Sequence, residues 1–311
     1  MDYGRILSRS LQIAWRYKGL WLFGFLLSLF GSCQGGNLLR YSYGYPPEPT
    51  ESSFLFLPQG LVIGLTLALL AFGCLWIIVG LVTTFLSRVA LISMVNDVAQ
   101  VGTTTIPDGF RHGLSVRTLR VFLISLIIGI PLTILIIVLI LFSLSPLLLL
   151  LVDNTVVRTL AVMGTVVLLL FSIGLAILMG AVASLLREFI DRQCVIADKG
   201  VLDSIGAGLR MVWQNLGSVA VLWLLIFGIG LGWGLITMVL LLGLGAVISV
   251  VSLVAHLALR TTPGAIGLVI ILGLVTVVLM AFINGLMEVF RSTVWTLTYL
   301  EVGSSPSSDL P

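Results

Sequence analysis

Six stretches of this chain carry no Asp, Glu, Lys or Arg: residues 19–39, 52–87, 121–152, 159–186, 211–259 and 261–287. Each supplies the roughly 20 residues that a helix needs, at about 1.5 Å per residue, to cross ~30 Å of hydrocarbon. In lipid every backbone polar group must pair within the protein, and no alternating strand pattern competes, so the windows read as helices. Composition agrees: 9 % of the 311 residues are charged, 59 % are apolar, and the mean hydropathy is +1.20. A water-soluble fold cannot hide that much apolar surface. The expected class is all-α, a polytopic transmembrane helical bundle. A net charge of +3 is too small to point to nucleic acid.

Residues 211–259 are long enough for two spans, so the windows admit six or seven crossings. With six, and the N-terminus in the cytoplasm, 13 of the 16 cationic residues lie inside. They are Arg5, Arg9, Arg16, Lys18, Arg88, Arg111, Arg117, Arg120, Arg187, Arg192, Lys199, Arg210 and Arg291. Only Arg40, Arg158 and Arg260 fall outside, one in each outer connection. This is the positive-inside asymmetry of a cytoplasmic-membrane protein with both termini in the cytoplasm. Splitting 211–259 changes the bias little, so charge alone leaves both counts open.

A repeat favours six. GLVTTFLSR at 80–88, SLLREFIDR at 184–192 and GLMEVFRST at 285–293 each place a small residue and Leu before a Phe four residues later. Upstream of each hairpin lies a short amphipathic segment: Leu7, Ser10 and Leu11; Phe110, Gly113 and Leu114; Ile205, Gly208 and Leu209. Trp15 and Trp213 both follow the Leu by four residues. The spacing is consistent: 103 residues from Leu11 to Leu114 and 104 from Gly80 to Ser184, then 95 from Leu114 to Leu209 and 101 from Ser184 to Gly285. The pattern predicts three parallel units, about 3–100, 101–200 and 201–302, each an interfacial helix plus a transmembrane hairpin. The tail 303–311 reads as disordered and cytoplasmic.

In the first segment Arg5, Arg9, Gln12 and Arg16 share one helical face, and Leu7, Leu11, Ala14 and Trp15 another. Such a helix can lie in the headgroup layer with its cations near anionic lipid. Arg5, Arg9, Trp15, Arg16 and Trp213 are the expected anchors. A plain extension of the first span is the alternative. Helices in lipid associate through close packing of small residues. Gly228–Gly232 and Gly230–Gly234 are interleaved GxxxG pairs, and Ser172, Ala176, Gly180 and Ser184 form a small stripe, as do Gly60, Gly64 and Ala68. These serve packing inside the chain or a homo-oligomer seam. Pro131 is a candidate kink, and Pro146 marks the outer end of the third span.

Chemistry-bearing motifs are missing. There is no HExxH, P-loop or dinucleotide-binding glycine fingerprint, and no GxSxG elbow. Cys33, Cys74 and Cys194 fall outside, within and inside the bilayer, which offers neither a zinc set nor a disulfide. No catalytic residue, cofactor or metal is expected. His256 reads as an end residue, Asn284 as an interhelical hydrogen-bond partner, and Glu288–Arg291 and Arg187–Asp191 as helix-surface pairs. The run 29–33 ending at Cys33 has the look of a lipoprotein cleavage site, with Phe30 atypical at its position. The loop 34–59, with Tyr41, Tyr43 and Tyr45, is either a partner-binding segment or a tolerant loop.

The fourth connection runs CVIADKGVLDSIGAGLRMVWQNLGSV. An acidic-glycine turn leads into an amphipathic helix with Trp-x-Asn before the next span. Over residues 186–230 this resembles the cytoplasmic connection in a loose group of bacterial multi-span proteins, among them the membrane domain attached to some glycerophosphoryl diester phosphodiesterases. The resemblance implies a helical membrane module and carries over no catalytic residue. The expected function is a non-catalytic membrane module organising lipid or protein partners. A transporter or channel for lipid or another apolar solute is the alternative.

Overall fold

The computed structural model describes residues 2–31, 59–151, 154–259 and 262–304. All regular structure there is helical. In order come α1 (Tyr3–Arg16), α2 (Gly19–Gly31), α3 (Gln59–Gln100), α4 (Ile106–Gly113), α5 (Val116–Leu144), a 3-10 segment (Ser145–Leu151), α6 (Thr155–Val195), α7 (Val201–Gln214), α8 (Leu216–Leu259) and α9 (Thr262–Ser304). Five helices are long and apolar enough to cross a membrane: Thr66–Gln100, Val116–Leu150, Thr155–Val195, Leu216–Ala255 and Gly267–Gly303. The chain is therefore a multi-span helical membrane protein.

The first apolar window is described only through its initial part. Helix α2 has 13 residues, about 20 Å at 1.5 Å per residue, which falls short of the hydrocarbon thickness. Cys33, Arg40, the tyrosine loop, Arg260 and the tail from 305 lie outside the described residues, as does the side chain of His256. The second expectation, a choice between one and two spans over 211–259, has a clear outcome. Residues Leu216–Leu259 form one unbroken helix of 44 residues, so the turn that two spans would need is not there.

Local chemistry sets the helix ends. The Asp2 carboxylate caps α1 by accepting from the Arg5 N–H at 3.2 Å, and the Asn154 amide oxygen caps α6 by accepting from the Val156 N–H at 3.0 Å. Thr105 donates its N–H to the Asp108 carboxylate at 3.2 Å at the start of α4. Helix α5 tolerates Pro131 in its interior and ends at Leu144. There Pro146 lacks the amide hydrogen that another turn would use. Past the end of α3, Gly102 takes φ +81° and donates its N–H to the Val98 carbonyl at 3.2 Å. A left-handed residue after a helix closes its last carbonyls, and Gly does so without strain.

The chain divides into two compact units. The first comprises residues 1–115 and 224–298. Its core gathers Ala14, Leu20, Phe23 and Leu27 from α1 and α2, Ala90, Leu91, Met94 and Val95 from α3, and Val289 from α9. Helix α2 is apolar all round, yet it buries one stripe, Leu20, Phe23, Gly24, Leu27 and Ser28, at helical spacing. Backbones meet closely here. A Cβ placed on Gly285 would lie 2.7 Å from the Phe25 nitrogen and 2.8 Å from the Gly24 carbonyl carbon. Trp21 packs edge-on against Phe282, with ring centroids 6.0 Å apart. Near the middle of α8, the Trp233 indole donates to the Asn284 amide oxygen of α9 at 3.2 Å. Asn284 is thus an interhelical partner, as its position in an apolar run predicts.

The second unit comprises residues 116–223 and 299–311. Helices α5 and α6 form a hairpin, and Arg187 of α6 reaches the Ser125 carbonyl of α5 at 3.5 Å. Toward its end α6 becomes buried from Phe189 to Val195. Arg192, 1 % exposed, is kept charged-paired by Glu188 at 2.7 Å. A buried guanidinium without such a partner would be costly.

Candidate lipid interface

Helices α1, α4 and α7 share one construction. Each buries a small residue and turns the following Leu outward. In α1 the buried stripe is Ile6, Ser10, Ile13 and Ala14, while Leu11 is exposed. In α4, Gly109 and Gly113 are buried, while Ile106, Phe110 and Leu114 are exposed. In α7, Ser204, Gly208 and Val212 are buried, while Leu202 and Leu209 are exposed.

The small residues are what allow this docking. A Cβ on Gly113 would come within 2.8 Å of Leu86 Cγ and 3.0 Å of the Leu86 carbonyl oxygen on α3. One on Gly208 would come within 2.6 Å of Ile190 Cγ1 and 3.1 Å of its Cα on α6. Gly109 is as tight, against Met94 and Phe23. Thus α4 lies directly on α3 and α7 directly on α6, in each case the long helix that precedes it in the chain.

Polar links fix these helices further. The Tyr17 hydroxyl donates to the Gly102 carbonyl, the Trp21 indole donates to the Ala14 carbonyl at 2.7 Å, and His112 Nε2 lies 3.3 Å from Asp97 Oδ2. In the second unit Asp198 receives Arg120 at 3.0 Å and Arg117 Nε at 3.4 Å. Asp198 has φ +51°, a conformation that Asp tolerates better than most residues.

The outward strips match interfacial chemistry. Trp15 is 69 % exposed and Trp213 is 74 % exposed. Each continues its strip one turn beyond Leu11 or Leu209. On α1 the cations Arg5, Arg9 and Arg16 are all exposed on the flank of that strip. Apolar residues, Trp and Arg side by side on one exposed face are what the headgroup boundary accommodates. The expected apolar face of α1 is thus split. Ala14 turns to the protein, Leu11 and Trp15 turn out, and Leu7 is half-buried.

The expected packing residues are placed differently from one another. A Cβ on Gly228, Gly230, Gly232, Gly234 or Gly180 would meet nothing within 4 Å. Gly64 is equally open. Ser172 is buried, Ala176 is half-buried and Ser184 is exposed. The close contacts instead involve Gly24, Gly285, Gly109, Gly113 and Gly208. Of these, Gly109 stands four residues before Gly113, and Gly24 likewise stands four before the buried Ser28, a spacing outside the stripes expected from the sequence. Gly113, Gly208 and Gly285 are small positions of the expected repeat. Its Phe85 and Phe189 are buried, and Phe290 is half-buried. Glu288 and Arg291 approach to 3.9 Å.

No group of three His, Cys, Asp or Glu among the described residues is placed to hold a metal ion. Cys74 and Cys194 are both free thiols. No protein-family model, curated protein or solved structure matches this chain.

Proposed function

We propose that this chain is a non-catalytic module of the cytoplasmic membrane that organises lipid or protein partners around itself. It crosses the bilayer six times as three like-oriented units, 3–100, 101–200 and 201–302, with both termini in the cytoplasm. The helix order supports this reading: a short amphipathic helix precedes each pair of apolar helices, and the basic residues gather beside the short helices.

One observation carries the functional part. In the most apolar 18-residue stretch of the spans in α5, α6, α8 and α9, only 6 % of residues are buried, against 22 % for α3. The packed part of each unit lies at the helix ends that carry the short helices. The long apolar shafts present their side chains outward, to acyl chains, to another membrane protein or to a second copy of the chain.

The test is reconstitution of the full chain into vesicles of phosphatidylethanolamine and phosphatidylglycerol with a trace of headgroup-labelled lipid. Expected are phospholipid or a protein partner retained through mild-detergent purification, and lipid flip rates equal to those of protein-free vesicles. Rapid lipid flipping would replace this reading with transport.

A further inference from the structure

Between the end of α6 and the length of α7 lies an open cavity of about 650 Å³. Gln193, Lys199, Gly206, Arg210, Met211 and Gln214 line it. Its volume is in the range of small-molecule sites. The space beside Gly206 is open, since a Cβ there would meet nothing within 4 Å. No acidic side chain is in the lining. Lys199 and Arg210 have no ion pair among the described residues. The Asp198 carboxylate is engaged with Arg117 and Arg120. Two uncompensated cations in a concave site favour an anion.

Gln193 adds a second requirement. It is 8 % exposed, its Oε1 has no hydrogen-bond partner, and its Nε2 has the weak Met211 sulfur at 3.7 Å. A buried amide left in that state is costly unless something bonds it. Helix α7 exposes Leu202, Leu209 and Trp213 on the face adjoining the cavity. A ligand suited to all three features has an anionic oxygen group, a neighbouring hydrogen-bonding group and an apolar tail.

We propose that this cavity seats the phosphate of an anionic membrane phospholipid, with Lys199 and Arg210 on its oxygens and the Gln193 amide bonding the headgroup. The inference rests on the reading of α7 as an interfacial helix and names the lipid class it would hold. Inorganic phosphate shares the anionic chemistry and lacks the tail.

The full chain in detergent micelles is titrated with short-chain phosphatidylglycerol, short-chain phosphatidylcholine or inorganic phosphate, and bound lipid is counted by native mass spectrometry. Phosphatidylglycerol should bind well above phosphatidylcholine. Lys199→Gln with Arg210→Gln should weaken it roughly tenfold or more, since bonds to charged groups are the strong ones. Gln193→Leu should weaken it about two- to tenfold. Arg158→Gln, which removes an exposed cation at the opposite end of α6 from the cavity, should change it less than about twofold. Equal loss from this variant and the cavity variant, or none from the cavity variant, overturns the site. Saturation by phosphate alone, with no advantage for the lipid, overturns the lipid assignment. Quenching of a single Trp213 by headgroup-depth lipid probes tests the interfacial reading separately. A Trp213 that is not quenched sinks that reading whatever the titration gives.

Discussion

Replacing Gly285 by Ala forces two backbones apart. The added Cβ would lie 2.7 Å from the Phe25 nitrogen, and 2.8 Å from both the Gly24 carbonyl carbon and the Phe25 Cα. Ordinary contacts of this kind sit near 3.5–4.0 Å, so α2 and α9 must separate by about 1 Å. The obstructing atoms are main chain, so no rotamer change relieves them. Overpacking of this sort costs about 1–3 kcal/mol, while the better helix propensity of Ala returns up to ~1 kcal/mol. Gly230→Ala provides the reference, because a Cβ there meets nothing within 4 Å and only the propensity gain remains. The difference between the two variants therefore isolates the steric cost, about 1–3 kcal/mol. Reversible unfolding of the full chain in mixed micelles, followed by circular dichroism, measures it. Gly24→Ala acts at the same contact, so its effect should not add to that of Gly285→Ala. A Gly285→Ala protein as stable as Gly230→Ala refutes the close approach of α2 and α9.

Three further outcomes follow from named contacts. Asn284→Leu and Trp233→Phe each remove the 3.2 Å hydrogen bond between α8 and α9, and a double-mutant cycle should give a coupling near 0.6 and below about 1.7 kcal/mol. At Asp198, substitution by Gly relieves a φ of +51° and loses only exposed ion pairs worth about 0–1 kcal/mol. Its unfolding midpoint should stay near that of the parent, whereas Asp198→Val should lose about 1–2 kcal/mol to backbone strain. Spin labels at Leu11, Leu114 and Leu209, the exposed neighbours of three buried small residues, should report the same shallow bilayer depth by power saturation. Three different depths would refute the like-oriented units.

How far the sequence reaches can be judged residue by residue. Uncharged runs mark the long helices because a chain without the alternating pattern of barrel strands satisfies its backbone in hydrocarbon only as a helix. Gly113 and Gly208 are legible as a pattern because each docks a short helix by the same means. Asn284 is legible because a lone amide in an apolar run needs a partner. The stripes at Gly228–Gly234 and Ser172–Ser184 are periodic within one helix, yet periodicity does not say which neighbour, if any, meets them. That Gly24 meets Gly285 is not legible from either helix alone, since the contact depends on two helices distant in sequence coming together. The headgroup cavity escapes a motif search for a similar reason. Gln193, Lys199 and Arg210 are unremarkable singly, and only the laying of α7 on α6 through Gly208 brings them around one space.

The central claim is an even number of crossings with the basic helix ends in the cytoplasm, and paired reporter fusions test it most directly. A reporter active only outside the cytoplasm is joined after residue 260, and one active only in the cytoplasm after residue 311. Three like-oriented hairpins predict activity at both junctions. A silent reporter at residue 311, with its exported counterpart active there, would contradict the account.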